Sequence, residues 1–153
     1  MNPTAHPNRP THPIVASPRD YARPCAVVGE RITVLATGQD TGSYEIFLQE
    51  GAEGSGPPPH HHPWDEAFFV IDGEVSFGIG NEECTALPGT LVHVPAGTVH
   101  WFRLHGRLSR MVSITSGAGA ARMFQEIDRE LAGAPDLERL VSLAARHRVE
   151  IAA

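Results

Sequence analysis

From Val27 to Thr115 the chain is interrupted by turn signals every 8–12 residues, which excludes any helix of ordinary length in its middle. The breaks fall at residues 38–42, 51–59, Asp72-Gly73, Gly80-Asn81 and residues 95–98. Between them run short segments at 31–36, 43–49, 66–71, 74–79, 91–94, 99–104 and 110–115. The spacing predicts seven strands in a β-sandwich or barrel. Asp72-Gly73 sits between two apolar runs and predicts a tight hairpin, because glycine supplies the positive φ such a turn needs.

The flanks read differently. Residues 1–24 hold six of the 13 prolines, together with His6 and His12. Proline has no N–H to give to a helix interior or a central strand, so this segment is expected to be an extended arm, its histidines incidental. After Thr115 the apolar period changes. Met123, Phe124, Ile127 and Leu131 share one helical face, and Leu137, Leu140, Val141 and Ala144 share another, with Pro135-Asp136 between. The expected organisation is an arm over 1–24, a β-barrel over 25–117 and two short amphipathic helices over 118–153. The helices would close one side of the β-core or form an oligomer contact.

Charge narrows the partners. Twelve arginines and no lysine face 18 acids, a formal net charge of −6. Phosphate binding needs clustered cations, so neither nucleic acid nor an anionic membrane is expected as the main partner. No stretch approaches the ~20 apolar residues of a membrane span, and the start of the sequence lacks a secretory h-region. The expected location is cytoplasmic. Cys25 and Cys84 are too few for a disulfide scaffold and are expected as two buried thiols.

Chemistry concentrates in the middle. Gly56 is followed by Pro57-Pro58-Pro59, His60-His61-His62 and Pro63-Trp64-Asp65-Glu66. In an extended segment alternate side chains share a face, so His60 and His62 project together and His61 points away. Glu66 keeps the same parity if the strand is unbroken. His100 follows the Pro95-Ala96-Gly97-Thr98 turn on another strand. Three imidazoles and a carboxylate meeting from two strands suit a borderline divalent metal. If Val94 and Val99 flank a hairpin, His93 lies opposite His100. There it would be a donor behind the ligands, a proton relay, or an interior residue bonded to a backbone carbonyl.

The spacing Gly54-x5-His60-x-His62-x3-Glu66-x6-Gly73 resembles the first motif of the cupins, and Gly89-x5-Pro95-x-Gly97-x2-His100 resembles the second. The final Asn of that second motif is Leu104 here. Fifteen residues separate Gly73 from Gly89, as in small bacterial cupins. The resemblance implies a double-stranded β-helix, the jelly-roll barrel, with one divalent transition metal (Fe, Mn, Ni, Co, Cu or Zn) held by His60, His62, Glu66 and His100. Phe68 and Val70 share the parity of Glu66, and Phe102 and Leu104 that of His100. These four are expected to line an apolar substrate pocket.

More loosely, residues 33–38, Gly42, 57–60, 65–68 and the tail from Arg122 to Ile151 look like quercetin-dioxygenase-type small cupins. The expected activity is dioxygenase chemistry on a small enolisable or phenolic, polyketide-like compound, with Glu66 as base and His93 as the next candidate. A non-oxidative isomerase, cyclase or lyase, and a binding cupin without turnover, are the alternatives. Metal-dependent dimethylsulfoniopropionate lyases share the ligand set but carry a Tyr two residues after the Glu, where this chain has Phe68. Ala67, Phe69 and Ile71, with Trp101, face away from the metal and predict a homodimer through the outer sheet face.

Overall fold

The computed structural model of the chain describes residues 12–152, so His6 and the first eleven residues of the expected arm lie outside the described residues. In chain order the elements are β1 (Cys25–Val27), β2 (Glu30–Ala36), α1 (Gly38–Thr41), β3 (Tyr44–Gly51), β4 (His60–His61), β5 (Glu66–Asp72), β6 (Val75–Ile79), β7 (Glu82–Ala86), β8 (Leu91–Val94), β9 (His100–Leu104), β10 (Ser109–Ser116), α2 (Ala120–Leu131), α3 (Leu137–Arg146) and β11 (Glu150–Ile151). All seven expected strands and both expected helices are present. Four strands carry no readable alternation: β1, the two-residue β4 and β11, and β7, which is exposed along most of its length.

Two antiparallel sheets face each other, one ordered β1-β2-β3-β10-β5-β8 and the other β11-β4-β9-β6-β7. This is the jelly-roll arrangement, built as two sheets rather than one continuously bonded barrel. Alternation decides what lies between them. Glu66, Phe68 and Val70 of β5 point inward, while Phe69 and Ile71 point to solvent. His100, Phe102 and Leu104 of β9 point inward likewise. The Asp72-Gly73 turn forms as expected. Gly73 has φ +80°, and a Cβ there would lie 2.1 Å from Ser109 Oγ.

The interior divides into two apolar clusters. One is made by the strands alone, from Phe68, Val70, Val75, Phe77, Ala86, Val92, Val94, Phe102, Leu104 and Met111. The other joins Cys25, Val27, Ile32 and Phe47 to the inner faces of α2 and α3. The buried Glu45 carboxylate holds this second region together. It accepts hydrogen bonds from the backbone N–H groups of Gly38 and Ala121, each at 2.9 Å, and so ties the starts of α1 and α2 to β3. Residues 13–24 form no strand. Arg23 pairs with Asp128 of α2, and Asp128 also accepts from the Ala26 N–H.

Two expectations change here. Cys25 is buried, but Cys84 is exposed, because β7 is the edge strand of its sheet and presents that side chain to solvent. Trp101 faces outward but lies flat on its own sheet: a Cβ on Gly78 would fall 2.0 Å from its Nε1, and the Arg103 guanidinium sits 5.8 Å over the ring. Among the described residues no helix is long and apolar enough to cross a membrane.

Candidate metal centre and its cavity

The polyproline run leads straight into β4, which places His60 opposite His100 of β9 as a cross-strand pair. His62 lies just past β4, and Glu66 opens β5 in the other sheet. The two sheets therefore each contribute donors to one point. The ligand atoms of His60, His62 and His100 lie within 4.8 Å of one another. Glu66 Oε2 is 2.9 Å from His62 Nε2 and 3.4 Å from His100 Nε2. His62, Glu66 and His100 are buried. His61, with the opposite parity, turns outward and meets Glu150 at 3.3 Å.

Each of the three rings is fixed by the same device. Nδ1–H donates to a backbone carbonyl at 2.9 Å: Pro58 for His60, Trp64 for His62 and Thr98 for His100. A carbonyl can only accept, so Nδ1 carries a proton on each ring and Nε2 turns inward, where it can take a metal in place of a proton. Nε2 of His100 has no hydrogen-bond partner although it is buried. His62 Nε2 meets Glu66 Oε2 at 2.9 Å, a hydrogen-bonded contact whose proton a bound cation would displace. This donor set fits a divalent metal ion. The Trp64 indole stacks on His62 with centroids 4.5 Å apart and planes 10° apart, holding that ring from the side.

Burial opposes ionisation of Glu66, but the imidazoles of His100 and His62 beside it outweigh that, and its carboxyl is held at about 2. His60 moves down as well. Burial and the neighbouring His100 lower its ring to about 4, against the raising effect of the Pro58 carbonyl. The two shifts favour a neutral His60 ring beside an ionised Glu66 at neutral pH, as metal binding requires.

A cavity of about 70 Å³ opens on His60, His62 and Glu66. Its wall is largely apolar and comes from β1, β2, Phe102 and the inner faces of α2 and α3, including Met123, Phe124 and Ile127. Glu30 of β2 and Gln49 of β3 interrupt this wall. A second, outer cavity of about 410 Å³ adjoins it under the α2–α3 connection, and Val28, Pro58, Ile127 and Leu140 line both.

Residues 47–115 match the family model described as "Cupin domain". They form a cupin domain. Over 97 residues the chain is 33% identical to the quercetin 2,3-dioxygenase of Bacillus subtilis (strain 168), which covers 62% of this chain and 29% of that protein. The chain spans about a third of the length of the curated relatives it matches. Among solved structures, KdgF from Halomonas sp. superposes with a TM-score of 0.62 at 18% identity, covering 69% of this chain and 94% of that one. The polyketide cyclase RemF from Streptomyces resistomycificus gives 0.58 at 18% identity over 69% and 80%. At such identities the structural likeness speaks to the fold.

Within this cupin the structure separates the expected site residues. His60, His62, Glu66 and His100 come together. His93 does not join them. β8 and β9 belong to different sheets, so the turn between them is a crossover rather than a hairpin; β8 pairs with β5, and His93 stands opposite Ala67 on the exposed face. Of the four expected pocket residues only Phe102 lines the cavity. Phe68, Val70 and Leu104 are inward but fill the strand-only cluster with Phe77 and Met111. Glu30, Gln49 and Trp64 are the functional candidates that the sequence reading missed. Glu30 shares parity with Ile32, and Gln49 with Phe47, but β3 is apolar on both faces (Ile46 and Leu48 alternate with Phe47), so pattern alone does not say which face is inside.

Proposed function

We propose that this cupin is a metal-dependent enzyme of the dioxygenase type acting on a small enolisable or phenolic compound, with His60, His62, Glu66 and His100 as the metal ligands. The supporting observation is the set of three imidazoles, each with Nδ1–H on a backbone carbonyl, whose Nε2 atoms meet beside an ionised carboxylate. A divalent transition metal bound there would supply Lewis-acid polarisation of a substrate oxygen, whichever of Fe, Mn, Ni, Co, Cu or Zn is used.

The chain's own residues define the rest. Glu66 faces the cavity and accepts the proton of a substrate hydroxyl. The imidazoles that keep it ionised also make it a weak base, so it serves acidic hydroxyls such as phenols and enols better than the alcohols of a sugar. Trp64 and the three backbone carbonyls keep the imidazoles from turning. The apolar wall of Phe102, Met123 and Ile127 keeps bulk water from the deprotonated carbon skeleton.

Elemental analysis and an oxygen electrode test this reading together. The purified protein is expected to carry one transition metal per chain, and metal-loaded protein to consume oxygen with members of a panel of flavonols, β-diketones and catechols. Product without oxygen uptake would assign non-oxidative cyclase, isomerase or lyase chemistry. Tight binding without product would assign a binding cupin.

We also propose that the chain is a homodimer through the outer face of the larger sheet. Phe69 is 47% and Leu91 65% exposed, and they are cross-strand partners; Phe69 also pairs with Val112, and Ile114 with Ala67. β8 is the edge strand there, with unpaired backbone groups beside the apolar row.

A further inference from the structure

The metal-centred reading leaves two buried polar side chains without a task. Glu30 and Gln49 are each 3% exposed and line the same cavity as His60, His62 and Glu66. Gln49 Nε2 donates to Glu30 Oε1 at 3.1 Å, the one side-chain hydrogen bond of either residue among those described. Gln49 Oε1 is buried with no partner. Their cross-strand neighbours, Val27 opposite Glu30 and Ile32 opposite Gln49, offer no side-chain donor. A fully buried acceptor left open in an apolar wall marks a place where something else completes the pairing.

We infer that Glu30 and Gln49 form a binding subsite for a neutral hydroxyl, a phenol or an enol, on the molecule held at the histidine cluster. The pair presents complementary functions to one oxygen. Gln49 Oε1 accepts, and the free carboxyl oxygen of Glu30 carries an O–H that donates. Burial holds the Glu30 carboxyl well above the usual carboxylate range, with the Gln49 amide and Arg103 acting the other way. A hydroxyl both gives and takes a hydrogen bond and so satisfies both groups. A ketone or ether oxygen only accepts and leaves Gln49 Oε1 open. The subsite thus deepens the proposed phenolic or enolic specificity and rests on that reading of the cavity.

Matched probes test it without turnover. Catechol and its monomethyl ether guaiacol are titrated by calorimetry into protein loaded with zinc, which is redox-silent, and zinc stoichiometry is measured separately. Wild type is expected to bind catechol at least tenfold more tightly than guaiacol. Gln49→Leu, close in size but without the acceptor, is expected to lose most of that preference while zinc content stays unchanged. Glu30→Gln retains an N–H donor and is expected to stay within about threefold of wild type, whereas Glu30→Leu follows Gln49→Leu; thermal unfolding confirms that each variant is folded. Catechol that fails to bind wild type, or a preference that survives both leucine variants, overturns the subsite. Failure to bind zinc overturns the metal reading instead, and the same titrations on metal-free protein then still decide the subsite.

Discussion

The two ends of the jelly roll are built from the same strands and do opposite things. At one end the space between the sheets is filled by side chains alone. Phe68, Phe77 and Phe102 meet at interplanar angles of 51–63° with centroids 5.2–5.9 Å apart, and Val75, Leu104 and Met111 complete the packing. At the other end the strands stop short of filling it. There α2, α3 and β1 cover the gap, and imidazoles, Glu66, Glu30 and Gln49 face what remains. Phe102 belongs to both, packed into the aromatic cluster and exposed to the cavity. The comparison shows how a small jelly roll can carry buried polar groups. The packed end fixes the strands that bear His100 and Glu66, so the polar end can leave part of its interior unfilled.

Activity should separate the ends most sharply. Glu66→Gln keeps size and an oxygen donor but removes the proposed base, so turnover is expected to fall by roughly 10²–10⁴ while bound metal is largely retained. Steady-state kinetics beside elemental analysis checks it. An unchanged rate with metal bound would move the base elsewhere.

Stability should show the reverse. Phe77→Ala removes a fully buried ring from the packed end and is expected to cost about 3–5 kcal/mol in urea unfolding, because the strands around it cannot collapse into the space. Met123→Ala on α2 should cost less, about 2 kcal/mol, since it lines a cavity already open on one side. Equal losses would mean that the helical cover is as rigid as the strands.

Among buried groups, acid should act on the polar end. The packed cluster contains no titratable group. His60, held at about 4 against an ordinary 6.5, binds fewer protons folded than unfolded, so its contribution is present above 6.5 and is lost as pH falls toward 4. Glu66, held at about 2 against 4.5, extends the loss below 4.5. Glu30, held well above its usual range, works the other way as pH falls, so the His60 contribution is read by difference: metal-free wild type should lose stability relative to His60→Gln as pH falls from about 6.5 toward 4. The increment from Phe77→Ala should not vary across that range.

The same division explains what the sequence made legible. Strand alternation and the two glycine-framed motifs place His60, His62, Glu66 and His100 because their parity is local, set within β4, β5 and β9. Parity does not carry across a crossover. A hairpin at residues 95–98 would set His93 opposite His100, but that turn joins two sheets, and His93 stands on the outer face opposite Ala67. Nor does parity say how deep an inward residue lies. Phe68, Val70 and Leu104 are inward, as their alternation requires, yet they pack where no cavity remains. The cavity wall is set by how α2 and α3 dock and by the turn at Gly29 that brings in Glu30, both determined by contacts distant in sequence.

The smallest effect on the site is expected from the outer face, which lies behind both ends. Phe69 and Phe68 are adjacent in sequence but point to opposite sides of β5, one to solvent and one to the packed cluster. A charge at Phe69 meets no inner group, so Phe69→Glu should leave metal content and turnover per chain within about twofold, as for other exposed substitutions. His93→Ala, on the same face, should do likewise. If two copies pair through the apolar row of Phe69, Leu91 and Ile114, the buried carboxylates would face each other across the two-fold axis, and the dimer should dissociate. Light scattering at micromolar concentration reads this directly. Wild type is expected at twice the 16.5 kDa chain mass and Phe69→Glu at the chain mass. A wild-type mass of one chain would remove the dimer and leave the row to be covered in some other way, while the candidate metal centre, whose proposed ligands all come from one chain, would be untouched.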